Sequence, residues 1–359
     1  MNKKKICFIA QFPPPVHGLS KAVDTLYNSD LCEEFDFEKV DITDNKKFLK
    51  NLWLISRSKA DLFYFTISQT KGGNLRDLII FKVLELQHKK CLIHLHGGYY
   101  RQLVDNDLSN WQRKANYKAI NKLAGAIVLG NSLKYIFQGM IDEDKIFVVP
   151  NCVDDEYLMS DSEFDEKIAT LESREVTRVL YLSNFIRSKG YPVVLEMAKY
   201  EKLNYEKTNV RRFHFDFAGK FFEDKEEKYF FNYIKKNKLE NFVTYYGIVS
   251  GDKKRDLLRQ CDIFALPTCY PNEGQPISIL EAMGNGMVII TTNHAGIPDI
   301  VKNKINGILI DKDFEIQNIY KNLYNTDFKN VIINNRKKVN LLYMQRLYLS
   351  NMLDVFQRL

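Results

Sequence analysis

The sequence predicts an α/β protein made of two Rossmann-like halves. Short apolar runs alternate with longer stretches of helical spacing, the pattern of parallel βαβ units. The alternation breaks once, in a polar, acidic stretch over residues 160–175, and then resumes. The chain is 359 residues long, which exceeds one ordinary domain and fits two of about 100–200 residues each.

The first strand is read at residues 5–10, where Ile6-Cys-Phe-Ile-Ala10 is closed by the turn at Pro13 to Pro15. Residues 21–31 follow with helical spacing. Two further strands are read at 60–66 and 90–96, and apolar residues at helical spacing over 75–87 supply the crossover between them. A helix at 111–123, a strand at 125–130 and a last apolar run at 147–153 complete the first half. The stretch 160–175 shows no β pattern and is read as a linker. In the second half, strands are expected at 178–183, 214–218, 243–247, 262–266 and 287–291, with helices at 192–201, 226–236, 253–261 and 276–283. A helix rich in Leu, Tyr and Met, over 340–359, ends the chain. The first domain is drawn over 1–155 and the second over 156–339.

Composition excludes several classes. Hydrophobic residues are 45% and charged residues 27% of the chain, the balance of a soluble globular protein. The six cysteines are scattered with no CxxC pair, which argues against a zinc ribbon or a disulfide framework and for a reducing compartment. No apolar run reaches the roughly 18 residues of a membrane span. The apolar stretch behind Lys3-Lys-Lys5 stops too early for a signal peptide. A cytoplasmic protein is expected. Neither GxGxxG nor a Walker A sequence occurs, against NAD enzymes and P-loop kinases.

Positive charge is uneven. Residues 1–150 hold 22 basic against 16 acidic side chains, and the remainder 30 against 29. Such an excess faces an anionic ligand or membrane, or is a solvated basic surface. Residues 46–59 mix Lys46, Lys47 and Lys50 with Leu49, Trp53 and Leu54. That mixture suits a helix lying on an anionic membrane, and equally a packed helix with a basic outer face.

The most informative stretch is Pro271-Asn-Glu-Gly-Gln-Pro-Ile-Ser-Ile-Leu-Glu-Ala-Met283. It follows a strand and opens a helix, so the N–H groups near Gln275 to Ser278 lie at a positive dipole end that takes a phosphate or pyrophosphate. Glu273 and Glu281 are carboxylates beside an anion site, unfavourable unless they accept hydroxyls, and a nucleotide sugar offers both groups. A capping Glu and a solvated Glu are the plainer reading. Leu182-Ser-Asn-Phe-Ile-Arg-Ser-Lys-Gly190 ends a strand with Arg187 and Lys189 placed to neutralise a leaving diphosphate; alone, such a loop is a solvated turn. In the first half, Gly18 permits close backbone approach after Pro13-Pro-Pro-Val-His17. His94-Leu-His-Gly-Gly-Tyr-Tyr-Arg101 places two histidines on one strand face, but with no third metal ligand in view. The triplets Asp105-Asn-Asp107 and Asp311-Lys-Asp313 lack the right context for a metal site and are read as surface loops.

The 271–283 segment, with Gly284-Asn-Gly-Met-Val-Ile-Ile-Thr-Thr and His294-Ala-Gly-Ile-Pro-Asp-Ile-Val301 behind it, resembles the Glu-x7-Glu signature of retaining GT-B glycosyltransferases of family 4. The resemblance runs from about residue 11 to 301. It implies a GT-B fold, two Rossmann-like domains facing across a cleft, the first binding the acceptor and the second a nucleotide-sugar donor, read as a UDP-sugar. It also implies that the last helix crosses back to the first domain. Catalytic roles then fall on His96, Glu273 and Lys189, with Glu273 at the donor-sugar hydroxyls and Glu281 at the ribose. Donor binding falls on Gly18, Arg187, Lys189, Glu273, Gly274, Gln275, Pro276, Ile277 and Glu281, and acceptor contacts on His17 and Arg101. Two positions depart from the family pattern: Asn184 stands where the family has Arg, and Pro276 where many members have Gly. Sugar transfer with retention, without metal or cofactor, is expected. The acceptor is expected to be a saccharide or lipid-linked saccharide of bacterial surface polysaccharide assembly, reached at the anionic inner membrane surface; no nucleic acid is expected. A nucleotide-sugar 2-epimerase and a non-enzymatic two-domain sugar-binding protein are the alternatives.

Overall fold

Two six-stranded sheets, each wholly parallel, organise the chain. The computed structural model describes residues 3–14, 18–311 and 313–359. One unit comprises Met1–Asn151 with Arg346–Leu359, the other Cys152–Gln345.

In the first unit the strands are β1 (Lys4–Ala10), β2 (Phe35–Asp41), β3 (Leu62–Thr66), β4 (Lys90–His94), β5 (Gly125–Val128) and β6 (Ile146–Val148), ordered β2-β1-β3-β4-β5-β6. Its helices are α1 (Gly18–Tyr27), α2 (Phe48–Arg57), α3 (Lys71–Leu86), the short α4 (Tyr100–Gln102) and α5 (Asn110–Asn121). The order reverses between β1 and β3. Right-handed crossovers running in opposite directions put their helices on opposite faces of a sheet, and the aromatic contacts show both faces. Phe8 and Tyr64 meet Tyr27 of α1 and Phe356, whereas Phe65, pointing the other way, meets Phe81 of α3. On that second face α3 lies between α2 and α5. Reciprocal amide bonds of 2.8 and 3.0 Å between Asn74 and Asn116 tie α3 to α5.

The second unit holds β7 (Thr177–Leu182), β8 (Phe213–Ala218), β9 (Val243–Tyr245), β10 (Ile263–Leu266), β11 (Val288–Thr292) and β12 (Gly307–Ile310), ordered β12-β11-β10-β7-β8-β9. Its helices are α6 (Asp161–Thr170), α7 (Tyr191–Thr208), α8 (Asp224–Asn237), α9 (Gly251–Gln260), α10 (Ile277–Gly284), α11 (Ile297–Ile300), α12 (Ile316–Tyr324) and α13 (Phe328–Leu342). The tail helix α14 (Gln345–Arg358) is grouped, from Arg346 on, with the first unit. The order reverses between β7 and β10, and this switch point positions the site described below.

Several elements differ from the sequence reading. The 160–175 stretch is not an open linker. The Ser160–Glu163 capping box starts α6, which buries Phe164 and Lys167, and the Lys167 ammonium donates to the carbonyls of Cys261 (2.6 Å) and Asn285 (2.8 Å). Strands β2 and β12 were not expected. Both are sheet edges, and β2 exposes Asp36 and Asp41, which thins its apolar signal. The tail is two helices broken at Tyr343, because α13 ends there after packing on α10 and β11.

Candidate active site

In an open parallel sheet, ligands bind outside the carboxyl ends of the strands at the point where strand order reverses. In the second unit that point lies between β7 and β10. The loops leaving these strands carry Lys189 and Glu273, whose Nζ and Oε2 are 3.4 Å apart. The two loops are pinned together: the Cys269 amide donates to the Ser188 carbonyl at 2.6 Å. Gly190 makes this approach possible. Its φ is +86°, and a Cβ there would overlap the Pro267 carbonyl, so a side chain would be excluded on both counts.

Glu273 is oriented from its other side by Thr268, whose Oγ1 donates to Oε2 at 3.2 Å. The Lys189 ammonium lies 5.0 Å from the centroid of the Tyr270 ring, and the Tyr270 carbonyl sits 2.7 Å from His294 Nε2. Gly274, Gln275 and Pro276 are buried behind Glu273, and the Gly274 carbonyl accepts the Gly296 amide at 2.9 Å. Pro276 caps α10, which begins at Ile277. The first amides of α10 are helix-terminal donors, suited to an anion.

Glu281 lies one turn into α10 and is almost fully buried. Its Oε1 accepts from the Lys254 ammonium of α9 at 2.7 Å, and that ammonium also sits 3.8 Å over the Tyr157 ring. Neither Lys254 nor Tyr157 carried a signal in the sequence. A lysine on an amphipathic helix is ordinary, and only the folded position of α9, against β7 and the Asp155–Tyr157 turn, brings this one to a buried carboxylate.

Arg187 is held away from Lys189. Its Nε lies 3.2 Å from Glu226 Oε2, and its guanidinium stacks 4.2 Å from the Tyr229 centroid. Glu226 also accepts from the Tyr191 hydroxyl. Asn184 is exposed, and its carbonyl accepts from Tyr181 at 3.0 Å.

In the first unit, His94 ends β4 and His96 lies two residues on. Their rings stack with centroids 3.9 Å apart, and His94 Nδ1 is 2.7 Å from the Tyr64 hydroxyl. Burial lowers both histidines, His94 well below its ordinary value and His96 to about 4, so both imidazoles are neutral near pH 7. Thr66 pairs with His94 in register. The buried atoms Thr66 Oγ1, His94 Nε2 and His96 Nε2 have no hydrogen-bond partner in the structure, leaving polar capacity at the carboxyl ends of β3 and β4. Gly18 opens α1, and a Cβ there meets nothing within 4 Å. His17 lies outside the described residues. Arg101 is engaged locally: Nη1 donates to the Gln138 carbonyl at 2.7 Å, and Nε lies 2.5 Å from Asp105 Oδ2. Asp107 accepts from Tyr99 at 2.6 Å, so both carboxylates of that triplet have side-chain partners. Among the described residues, no group of three or more His, Cys, Asp or Glu is placed to hold a metal ion, and no helix is long and apolar enough to cross a membrane.

The β7/β10 reversal and the Lys189–Glu273 pair lie within residues 163–324, which match a known family model. That family is described as glycosyl transferases group 1. Over 273 residues the chain is 23% identical to a Klebsiella pneumoniae protein described as an "Uncharacterized 41.2 kDa protein in cps region", covering 74% of this chain and 69% of that one. Over 56 residues it is 39% identical to the Escherichia coli "UDP-Gal:alpha-D-GlcNAc-diphosphoundecaprenol alpha-1,3-galactosyltransferase", a local match covering 16% of this chain and 14% of the relative. The crystal structure of Anabaena Alr3699/HepE in complex with UDP superposes with a TM-score of 0.74 at 15% identity, covering 99% of this chain and 100% of that one. At that identity the likeness establishes the fold, which is GT-B.

Proposed function

We propose that this protein is a retaining glycosyltransferase that moves a sugar from a nucleotide-sugar donor, a UDP-sugar, to a hydroxyl of a lipid-linked saccharide in bacterial surface polysaccharide assembly. The observation that carries this reading is the Lys189–Glu273 pair at the β7/β10 switch point, inside the stretch that matches the glycosyl transferase family. The bond that breaks joins the sugar's anomeric carbon to a phosphate oxygen, and negative charge grows on the departing diphosphate. Lys189 and the first amides of α10, at Ile277 and Ser278, stabilise that charge, so no metal ion is required. Glu273 accepts from donor-sugar hydroxyls, and Glu281, held by Lys254, from the ribose. Arg187 contributes only when it leaves Glu226. The departing phosphate takes the proton of the acceptor hydroxyl as the new glycosidic bond forms. On this reading the first unit takes the acceptor beside His96, Gly18 serves the donor, and Arg101 joins only by giving up Gln138 and Asp105. The acceptor's lipid places the protein at the inner face of the membrane, and α2, with Leu49 and Trp53 exposed, is the first candidate contact. The names of the E. coli and Anabaena proteins support the donor and acceptor classes.

The test is nucleotide release measured with and without acceptor. UDP appearing only with a polyprenyl-diphosphate-linked saccharide, in a product whose anomeric configuration matches the donor, supports transfer. Conversion of the donor sugar without acceptor identifies an epimerase, and binding without turnover a binding protein.

A further inference from the structure

The chain has two tryptophans, and both stand in the open: Trp53 on α2 is 58% exposed and Trp111 at the start of α5 is 61% exposed. Large apolar side chains left in water on a folded unit mark a contact surface rather than a packing accident when they gather on one face. Here they do gather. Leu49 joins Trp53 on α2, and Leu75, Ile79 and Leu86 are exposed on α3, the helix between α2 and α5. Between α3 and α5 runs an open groove of 1110 Å3, whose lining includes Leu75, Ile79, Leu86 and Trp111 and whose cations include Lys82, Lys118 and Lys122.

The charge of this layer is one-sided. Helices α2, α3 and α5 together carry eight Lys and Arg against two acids, Asp77 and Glu85. Asp77 is buried and accepts the Ser68 amide at 2.7 Å and Arg76, so it adds nothing to the outer surface. Glu85 is bracketed by Lys82 and Lys122. What the layer presents outward is therefore aromatic and aliphatic side chains set among cations. A protein partner of acidic surface would pair with the cations but leave the scattered apolar tips without a matching shape. An anionic bilayer satisfies both, because its headgroups are mobile and its acyl region accepts apolar side chains in any arrangement.

We propose that the whole α2–α3–α5 layer, not α2 alone, is the docking surface for an anionic phospholipid bilayer, with Trp53 and Trp111 inserted at its interface. The proposal deepens the membrane reading of the acceptor given above, and its test is independent of sugar transfer. Because no other tryptophan is present, fluorescence excited beyond the absorption band of the 20 tyrosines reports on this surface alone. Trp53→Phe leaves Trp111 as the only reporter, and Trp111→Phe leaves Trp53; both changes are on exposed positions, and circular dichroism checks the fold. Each variant, as the full chain, is mixed with phosphatidylglycerol or phosphatidylcholine vesicles. Both reporters should shift to the blue with phosphatidylglycerol and not with phosphatidylcholine, and the shift should reverse as salt is raised from 50 to 500 mM, as screening requires. Lys118→Glu with Lys122→Glu should weaken vesicle binding at least tenfold. If Trp53 shifts and Trp111 does not, contact is confined to α2 and the layer proposal falls while the membrane reading stands. If neither shifts, both fall. A shift that follows protein concentration without lipid assigns the face to a second copy of the chain and also overturns the proposal. Turnover on a soluble acceptor, unchanged in Trp111→Phe, shows separately whether the transferase reading holds.

Discussion

Replacing Lys254 by Met isolates the contribution of one buried ion pair. The substitution keeps most of the side chain's apolar stem and removes the ammonium 2.7 Å from Glu281 Oε1. The side chains of Lys254 and Glu281 are 17% and 4% exposed, so solvent screens little of the pair. Removing one partner of a buried pair leaves the other charge uncompensated and costs about 3–5 kcal/mol. The residual exposure of Lys254 places this case near about 2–4 kcal/mol, including the contact with the Tyr157 ring. For a domain of this size that lowers the melting temperature by roughly 4–16 °C, at about 2–4 °C per kcal/mol. Glu281→Gln in the same chain removes the carboxylate charge that Lys254 had balanced, so the double variant should recover part of the loss, with a coupling energy of about 1.5–3 kcal/mol. Function supplies a readout that stability does not. If Glu281 binds the ribose, its loosened carboxylate should raise donor KM about tenfold, about 1.4 kcal/mol, with kcat nearly unchanged. Lys254→Arg, which keeps the charge, should restore part of both. The reasoning fails if Lys254→Met melts like wild type, if the two single losses simply add, or if kcat falls while KM stays.

Lys189→Ala should lower kcat by about 10²–10³ with the fold intact by circular dichroism, because Lys189 acts on charge that develops as the bond breaks; full turnover would remove it from the mechanism. EDTA should leave the rate unchanged, and a loss restored by Mn²⁺ or Mg²⁺ would refute metal independence and return attention to Asp105 and Asp107. Burial holds His96 at about 4 against 6.5 in the unfolded chain, so the unfolded state binds more protons between those values. The stability contributed by the neutral ring is present above pH 6.5 and is lost as pH falls to about 4, amounting to roughly 3 kcal/mol. Asp77, raised by burial to about 6, works in the opposite sense, its contribution being present below 3.8 and lost as pH rises toward 6. His96→Gln should therefore show a smaller fall in melting temperature between pH 7 and 4 than wild type, and an unchanged acid slope would contradict the assignment.

Local pattern alone determined much of this protein. Alternating apolar runs and helical spacing located ten of the twelve strands among the described residues, because buried parallel strands are apolar on both faces and read as short continuous runs. The strands it missed are both sheet edges: β2 is interrupted by exposed Asp36, Lys39 and Asp41, and β12 is only four residues long. The α6 start was legible as Ser160 followed three residues later by Glu163, a capping box that an acidic composition disguised as linker. Residue type and spacing made Lys189, Glu273 and Glu281 candidates, and the resemblance to the Glu-x7-Glu signature gave them roles. Only the tertiary structure decided what these side chains meet. Strand order brings the β7 and β10 loops together and so joins Lys189 to Glu273 across 84 positions of sequence. The packing of α8 turns Arg187 toward Glu226, and in the first unit the Gln138 carbonyl holds Arg101, engaging charges that the sequence had offered to ligands. The fold also supplies Lys254, anonymous on its own helix, as the partner of Glu281. Periodicity is a property of one segment and can be read from it, whereas a buried charge's partner depends on which segments the folded sheet places side by side.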